Sequence, residues 1–106
     1  MEQIVADVFR TLADPTRRAL FERLSREGEL SVGALTEKAS ISQPAVSQHL
    51  AVLKQARLVG ERRAGRKVHY RAEPEGLKPL VDWLGFYAQF WTDRFDKLQQ
   101  LLSEME

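Results

Sequence analysis

Apolar residues recur at helical spacing through the first quarter of the chain. A first helix is predicted by five of them at the i, i+1, i+4, i+5 and i+8 positions of one face: Ile4, Val5, Val8, Phe9 and Leu12. Asp14 can then cap a second helix with Pro15 at its first position, and Gly28 can end it. The apolar stripe of this second helix consists of Leu20, Phe21 and Leu24.

Two arginines in the first turns of that second helix stand against the usual charge preference. Acidic side chains are favoured near a helix N-terminus because of the helix dipole, whereas this helix has Arg17 and Arg18 there. A solvated face explains them most simply. A nearby phosphate is the alternative.

Two shorter helices joined by a tight turn are predicted next. Ser31 can cap a helix that turns three apolar residues inward: Val32, Leu35 and Ala39. After the turn at residues 39–42, Ser42 can cap another helix, whose buried face is defined at i, i+4 and i+7 by Val46, Leu50 and Leu53. Two short helices joined in this way form a helix-turn-helix unit.

The opposite face of the fourth helix carries small and amide side chains. This face and its edges consist of Gln43, Pro44, Ser47, Gln48, His49, Ala51 and Lys54. Small side chains let a helix lie deep in a major groove, where Gln and Ser can hydrogen-bond to base edges. The same residue types are ordinary solubilising residues on an exposed helix. The face alone leaves both interpretations open.

A basic β-hairpin is predicted after this helix. A strand begins at Leu58-Val59, Gly65 marks a tight turn, and residues 68–71 alternate as the return strand. The side chains that can pack against the helices are Leu58, Val68 and Tyr70. We expect four cations to remain free to reach phosphates or a minor groove: Arg62, Arg63, Arg66 and Lys67. A hairpin that is merely made soluble by its charges is the alternative.

The net positive charge of the chain is concentrated in this segment. The 106-residue chain has a net charge of only +1, yet residues 54–71 hold seven Lys and Arg side chains against the single acid Glu61. Such a concentration is typical of a phosphate-binding surface. The helix face and the basic hairpin together point to DNA more specifically than either does alone.

One long helix is predicted for residues 75–104, after Pro74. It contains six of the nine aromatic residues: Trp83, Phe86, Tyr87, Phe90, Trp91 and Phe95. A single helical stripe cannot bury all of them, and a large exposed apolar patch is typical of an interface. We expect a two-fold homodimer in which this helix packs on its symmetry mate and on the first helix. The expected interface residues are Val5, Phe9, Leu84, Tyr87, Trp91, Phe95 and Leu98.

Two other roles for these aromatic residues stay open. They can line a pocket for a flat, apolar small-molecule effector, or the helix can pair with a different protein. Aromatic residues at helical spacing are more often core than pocket, so the homodimer is the simpler interpretation.

Missing residue types exclude several function classes. The sequence has no Cys, which excludes disulfides, thiolate metal sites and thiol redox switches. It has no phosphate-cradling glycine loop and no Ser/His/acid set, so we expect no enzyme activity and no cofactor. The N-terminus lacks the features of a secretory signal, and no apolar run approaches the ~20 residues that span a bilayer. A cytoplasmic protein without a membrane partner is expected.

The stretch from Phe9 to Arg71 resembles the ArsR-type winged helix-turn-helix repressors. The resemblance rests on LADPTRR at 12–18, SQPAVSQHL at 42–50 and GRKVHY at 65–70. It implies a mainly α fold with a small β-hairpin, in the order of four helices, two strands and one helix. It also implies a homodimer through the first and last helices, with the fourth helix in the major groove and the hairpin as the flanking wing.

The DNA contacts of the family can be carried over to matching positions. Its contacts on the recognition helix match Gln43, Ser47, Gln48 and His49, and its wing contacts match Arg62, Arg66 and Lys67. The predicted DNA-binding set adds Ser42, Pro44 and Lys54 from the same helix.

The sequence departs from the family at its metal sites. The positions of a Cys-x-Cys pair used by metal-sensing members are here Ser31 and Gly33. A second family site uses His and carboxylate ligands on the last helix, but the two histidines, His49 and His69, lie upstream of it. We therefore expect no metal sensing by either route. Arg57 replaces the glycine that usually ends the recognition helix, which leaves the helix end uncertain.

Residues 1–106 are thus predicted to form a single DNA-binding domain with a C-terminal dimerisation helix at 75–104. The expected function is sequence-specific repression of transcription by a metal-independent homodimer on an inverted-repeat operator in double-stranded DNA. The alternatives are a nonspecific DNA binder and a winged-helix module that binds protein.

Overall fold

A computed structural model describes residues 2–105 of the chain. The N-terminal part contains four helices and one short strand: α1 (Glu2–Ala13), α2 (Pro15–Glu27), β1 (Leu30–Ser31), α3 (Val32–Glu37) and α4 (Gln43–Gln55). A hairpin follows, made of β2 (Val59–Ala64) and β3 (Lys67–Ala72). The chain continues through a 3₁₀ turn (Pro74–Leu77), α5 (Lys78–Gly85) and α6 (Ala88–Glu104). This is the mainly α winged helix-turn-helix architecture that the sequence predicts, with one more strand and one more helix.

Three predicted N-caps are confirmed. The Asp14 carboxylate accepts hydrogen bonds from the backbone amides two and three residues further on, at 2.9 and 3.0 Å. The backbone N–H of Arg17 is the main cause that lowers the pKa of the Asp14 carboxyl. The hydroxyls of Ser31 and Ser42 each accept a hydrogen bond from the amide three residues on, at 3.1 and 3.3 Å. These caps satisfy amides that have no partner within their helices.

The core lies between α2, α3, α4 and the sheet. The side chains that the sequence predicted to face inward on α2 and α4 are all buried, and the core is completed by Leu35, Leu58, Val59 and Tyr70. A small sheet with one apolar face needs such helices to cover it, because a two-stranded hairpin is only marginally stable by itself. The hairpin is therefore held against the helix-turn-helix unit.

The sheet has three antiparallel strands in the order β1-β3-β2. Gly65, with φ of 62°, stands first in the two-residue turn of the hairpin, a position where L side chains are strained. In the short strand β1, Leu30 pairs with Tyr70 and Ser31 pairs with His69. Two residues are too few to produce a recognisable alternation, so the sequence did not predict this strand.

The end of α4 keeps a left-handed turn although Arg57 stands in place of the usual glycine. The amide of Arg57 donates to the carbonyl of Lys54 at 2.9 Å, and the amide of Leu58 donates to that of Leu53 at 2.9 Å. Arg57 has φ of 64°, so the helix ends in a Schellman motif with an arginine at the left-handed position. The backbone of Gly76 packs directly on this turn, so a Cβ at this position would collide with the carbonyl oxygen of Arg57.

The prediction of one helix over residues 75–104 is wrong. The segment begins as a 3₁₀ turn, becomes α5 and is interrupted before α6. At the interruption, the amides of Phe86 and Tyr87 bond to carbonyls three residues back, at 3.3 and 2.9 Å, instead of four. Gly85 precedes this break and is a poor helix former, because an unrestricted backbone loses more entropy on ordering. The apolar spacing of the segment is the same with or without this break, so it did not predict the low helix propensity at Gly85.

The C-terminal helices leave their apolar side chains exposed. Phe9 of α1 meets Trp83 of α5 edge to face, with 5.4 Å between the ring centroids. Beyond this contact, α6 extends from the domain with no buried residue of its own. Val5 of the predicted dimer interface is half-buried in the single chain. The other six predicted interface residues are exposed: Phe9, Leu84, Tyr87, Trp91, Phe95 and Leu98.

Candidate nucleic-acid interface

The outer face of α4 is available to a partner. Gln43, Ser47 and Gln48 are exposed, while His49 is half-buried. On the inner side of the same helix, the three core residues have no exposed surface, so the helix cannot rotate without unpacking the core. Residues at the helix start are also exposed, but the hydroxyl of Ser42 is occupied by its cap hydrogen bond. The structure thus brings the predicted base-reading side chains onto one rigid surface.

The hairpin forms a basic wing beside that surface. Strand alternation puts Glu61 and Arg63 on the same side as their cross-strand neighbours Tyr70 and Val68. Because Tyr70 is buried in the core, this side of the wing turns toward the helices. An open cleft of about 540 Å³ lies between the wing and the N-terminal ends of α3 and α4, and its lining includes Gln43, Ser47, Glu61, Arg63, Arg66 and Lys67.

Arg63 is a functional candidate that the family resemblance did not select. Its side chain lines the cleft together with Gln43 and Ser47 of α4. The signal was present in the sequence, since a two-residue turn at Gly65 pairs Arg63 with the apolar Val68. Residues paired across an antiparallel hairpin share a face, so Arg63 belongs on the helix side of the wing.

Arg62 occupies the other face of the wing and is not free. Its Nε atom donates to both carboxylate oxygens of Glu29, at 3.2 and 3.3 Å, and its terminal nitrogen donates to the same group. The hydrogen bond from Arg62 is the main cause that lowers the pKa of the Glu29 carboxyl. The expectation of an unengaged Arg62 is therefore wrong, because Glu29 lies in the loop that precedes β1. Its contact with DNA stays a prediction.

Glu61 joins the wing to α4. It accepts a hydrogen bond from Lys54 Nζ at 2.7 Å with one carboxylate oxygen and from the Tyr70 hydroxyl at 3.1 Å with the other. The bond from Lys54 contributes most to lowering the pKa of the Glu61 carboxyl, followed by the bond from Tyr70. Burial is the main cause that raises the pKa of the Tyr70 hydroxyl. Lys54, predicted as a DNA contact, is thus engaged within the protein.

The two arginines at the start of α2 bind the end of the preceding helix. Arg17 Nε donates to the carbonyl of Thr11 at 2.8 Å, and Arg18 donates to the carbonyl of Leu12 at 2.9 Å. The last carbonyls of a helix have no partner within it, and cations are favoured there. Both arginines therefore have a structural role that neither of the two initial interpretations anticipated.

The two positions of the family's Cys-x-Cys pair carry no thiolate. The Ser31 hydroxyl is the N-cap of α3, and Gly33 has no side chain. Among the residues that the structure describes, no three His, Asp or Glu side chains come together in an arrangement that could hold a metal ion. Within residues 2–105 no helix is both long and apolar enough to cross a bilayer.

Comparisons with known proteins agree with this geometry. The sequence profile of a helix-turn-helix domain matches residues 12–62. The chain is 47% identical over 95 residues to the HTH-type transcriptional regulator Rv2034 of Mycobacterium tuberculosis, which covers 90% of this chain and 85% of the relative. It is 43% identical over 99 residues to the arsenical resistance operon repressor of Escherichia coli, covering 92% of this chain and 81% of the relative.

A solved structure extends the similarity to the whole fold. The ArsR-like transcriptional regulator from Rhodococcus sp. RHA1 superposes with a TM-score of 0.73 at 28% identity, covering 94% of this chain and 93% of that one. The chain belongs to the ArsR family of transcriptional regulators. As an ArsR-family member it is a DNA-binding transcriptional regulator and not an enzyme.

Proposed function

We propose that this ArsR-family protein is a homodimeric, metal-independent repressor of the cytoplasm that binds an inverted-repeat operator and blocks transcription. The observation that carries the proposal is the joint exposure of the α4 face and the wing cations on one cleft. An α-helix of 13 residues is about 20 Å long, and the major groove admits it. Relatives that are named as repressors support the direction of regulation.

Base reading is assigned to the side chains in the middle of this surface. Gln43 and Ser47 are exposed one helical turn apart on α4, and Gln48 lies beside them. A Gln side chain can make two hydrogen bonds to adenine, and a Ser hydroxyl can bond to either groove edge of a base. His49 is placed at the edge of the face, and Ser42 and Pro44 at the helix start, where backbone contacts to phosphate are typical.

Phosphate contacts are assigned to the wing. Arg66 and Lys67 are exposed at the hairpin tip, and Arg63 lies between the tip and α4. Among the described residues none of these three forms an ion pair with an acidic side chain, whereas Lys54 and Arg62 do. We therefore expect Arg63, Arg66 and Lys67 to contribute more to DNA affinity than Lys54 and Arg62.

The homodimer is supported by the apolar seam of the C-terminal helices. Exposed residues alternate at spacings of three and four, the pattern of a coiled-coil stripe: Leu84, Ala88, Trp91, Phe95, Leu98, Leu102 and Met105. Full burial of each large apolar side chain contributes roughly 1.5 to 3 kcal/mol, so their joint exposure is costly. A two-fold dimer covers the seam with an identical seam and holds two α4 helices over successive turns of DNA.

Metal independence is supported by the residue types at the family positions. A thiolate site cannot form without Cys, and this sequence has none. A relative named as an arsenic resistance regulator, from Pseudomonas putida, is 47% identical over 68 residues. We propose that this chain keeps the DNA-binding module of such relatives without a thiolate sensor.

A small-molecule effector is a second candidate, favoured by one apolar groove. The groove is open to solvent, has a volume of about 780 Å³ and lies between α1 and α5, lined by Val5, Ala6, Phe9, Pro79, Asp82, Trp83 and Phe86. Its volume falls in the range of small-molecule sites. Val5 and Phe9 also belong to the proposed dimer face, so a ligand there would alter dimerisation. Unchanged DNA affinity across a panel of flat, apolar compounds would argue against this role.

The proposed function is tested by selection of random duplex DNA with the purified protein at two salt concentrations. We expect enrichment of an inverted repeat, and an affinity that falls roughly 10³ to 10⁵-fold between 50 and 200 mM salt if about six to ten phosphates are contacted. Salt-sensitive binding without sequence preference would make the protein a nonspecific DNA binder. No DNA binding would leave a protein-interaction module. Addition of a chelator should leave the affinity unchanged.

Two matched variants then separate base reading from phosphate contact. Gln43→Ala should reduce discrimination between the selected and a random duplex by roughly 1 to 3 kcal/mol. Arg66→Ala should weaken both duplexes equally and reduce the salt slope by about one. Equal losses on both duplexes for the Gln43 variant would show that Gln43 does not read bases.

A further inference from the structure

Two acidic residues line the basic cleft, Glu37 of α3 and Glu61 of β2. Glu61 lines it together with Arg63, Arg66 and Lys67 on the wing and with Gln43 on α4. A carboxylate near the path of a phosphate backbone repels it, so a purely electrostatic DNA surface has no use for this group. The hydrogen bonds of Glu61 explain its position, because its two oxygens bind Lys54 of α4 and Tyr70 of β3.

The first of these hydrogen bonds connects the wing to α4, and the second joins β2 to β3 within the wing. Lys54 lies in the last turn of α4, and Tyr70 lies in the central strand, with only 8% of its surface exposed. Glu61 is in the middle of β2, two residues before Arg63, whose side chain lies on the same face. A hairpin alone is marginally stable, so a link near its middle restricts how far its tip can move relative to α4.

We propose that Glu61 is a positioning residue for sequence discrimination, which holds the wing cations at a set distance from the base-reading face through Lys54, while Tyr70 orients its carboxylate. This inference rests on the proposed docking of α4 in the major groove. When α4 is in register with its bases, a correctly placed wing gains phosphate contacts on the operator. On random DNA, α4 has no single register, so the wing position matters little. Glu61 therefore raises affinity for the operator over affinity for other sequences.

Glu29, in the loop before β1, provides a matched control. It also accepts hydrogen bonds from a wing side chain, Arg62, but on the opposite face of the sheet. Glu61→Gln and Glu29→Gln each remove one negative charge that accepts a hydrogen bond in contact with the wing. Only the first weakens the link between the wing and α4. Tyr70→Phe provides a variant without any change of charge, because it removes the hydroxyl donor and keeps the buried ring.

The test measures two dissociation constants for each variant, on the operator obtained by selection and on a scrambled duplex of equal length. For Glu61→Gln we expect the ratio of the two constants to fall by up to about fivefold, as for the loss of a partly exposed ion pair. Tyr70→Phe should lower this ratio by about threefold. Glu29→Gln should shift both constants equally and leave the ratio as in the wild type. Circular dichroism and thermal unfolding would verify that each variant is folded.

Several results would overturn the proposal. An unchanged ratio for both Glu61→Gln and Tyr70→Phe would show that the link has no role in discrimination. Tighter binding of both duplexes by Glu61→Gln, with the same gain for Glu29→Gln, would make Glu61 only a repelling charge. If the wild-type protein selects no sequence at all, the proposed function itself fails, which the selection experiment reports independently of these variants.

Discussion

The helix-turn-helix region and the C-terminal helices share the same apolar periodicity, but only the first region buries its apolar face within the chain. Leu50 of α4 has 0% of its surface exposed, whereas Leu98 of α6 has 53% exposed. In the first region, three other elements of the same chain cover the apolar stripe. In the second, α5 and α6 present their stripes outward, with α1 as the neighbour of α5. Periodicity therefore reports that a face must be buried, without reporting which molecule buries it.

The largest effect is expected in the core. Leu50→Ala should reduce the free energy of unfolding by roughly 2 to 5 kcal/mol, because it leaves a cavity that the surrounding helices cannot fill. Urea denaturation monitored by circular dichroism measures this loss. Leu98→Ala is the matched control, since it removes the same atoms from the exposed seam. Equal losses for the two variants at protein concentrations that keep the chain monomeric would contradict the distinction between the regions.

A charge in the seam should act on association. Phe95→Glu puts a carboxylate into the proposed interface twice, once for each subunit, so we expect the dimer dissociation constant to rise at least about 100-fold. Sedimentation equilibrium measures this constant. Gln100→Glu introduces the same charge on the opposite side of α6 and should leave the constant nearly unchanged. A monomeric wild-type protein, or equal effects of both variants, would refute the homodimer through this seam.

A smaller effect is expected where the two regions touch. Arg57 holds a left-handed conformation at the end of α4, next to the backbone of Gly76. Arg57→Gly should raise the free energy of unfolding by about 1 kcal/mol, because glycine adopts this conformation without steric cost. Thermal unfolding measures the gain. Destabilisation by the glycine would mean that the arginine side chain makes a contact of greater value than the strain.

The smallest effect concerns pH and the link between wing and α4. The pKa of Glu61 lies below its ordinary 4.5, chiefly through Lys54, so the folded protein binds this proton less tightly than the unfolded chain. The link stabilises the fold above pH 4.5, and this contribution is lost as pH falls through the folded pKa. Glu61→Gln and Lys54→Met should both flatten the acid branch of stability below pH 4.5 in urea titrations. If stability fell as steeply with decreasing pH in both variants as in the wild type, the link between Glu61 and Lys54 would not contribute to acid denaturation.

Local chemistry made the N-terminal part of the fold predictable. Each of the caps Asp14, Ser31 and Ser42 bonds an amide no more than three residues further along the chain, so its geometry follows from a short stretch of sequence. The hairpin follows in the same way from Gly65 and the alternation around it. The apolar spacing of α4 then determines which side chains are left on its outer surface.

Contacts between distant residues escaped sequence reasoning. Arg62 is separated by 33 positions from Glu29, and no local pattern indicates that the two will meet. The roles of Arg17 and Arg18 depend on the turn between α1 and α2, which aims their side chains at the end of α1. The break follows Gly85, whose helix propensity is only about 1 kcal/mol less favourable than that of alanine. The regular apolar spacing around it predicts a continuous helix and gives no indication of this difference.

The sequence by itself determined the order of helices and hairpin, the buried and exposed faces of α4 and the absence of thiolate ligands, because each depends on residue type and short-range spacing. Only the tertiary structure decided which wing cations remain unpaired, how Glu61 joins β2 and β3 to α4, and where the C-terminal segment breaks. Those features depend on side chains that folding brings together from distant positions. Packing of the apolar side chains fixes the register of the sheet, and the register determines the face on which each charged side chain lies.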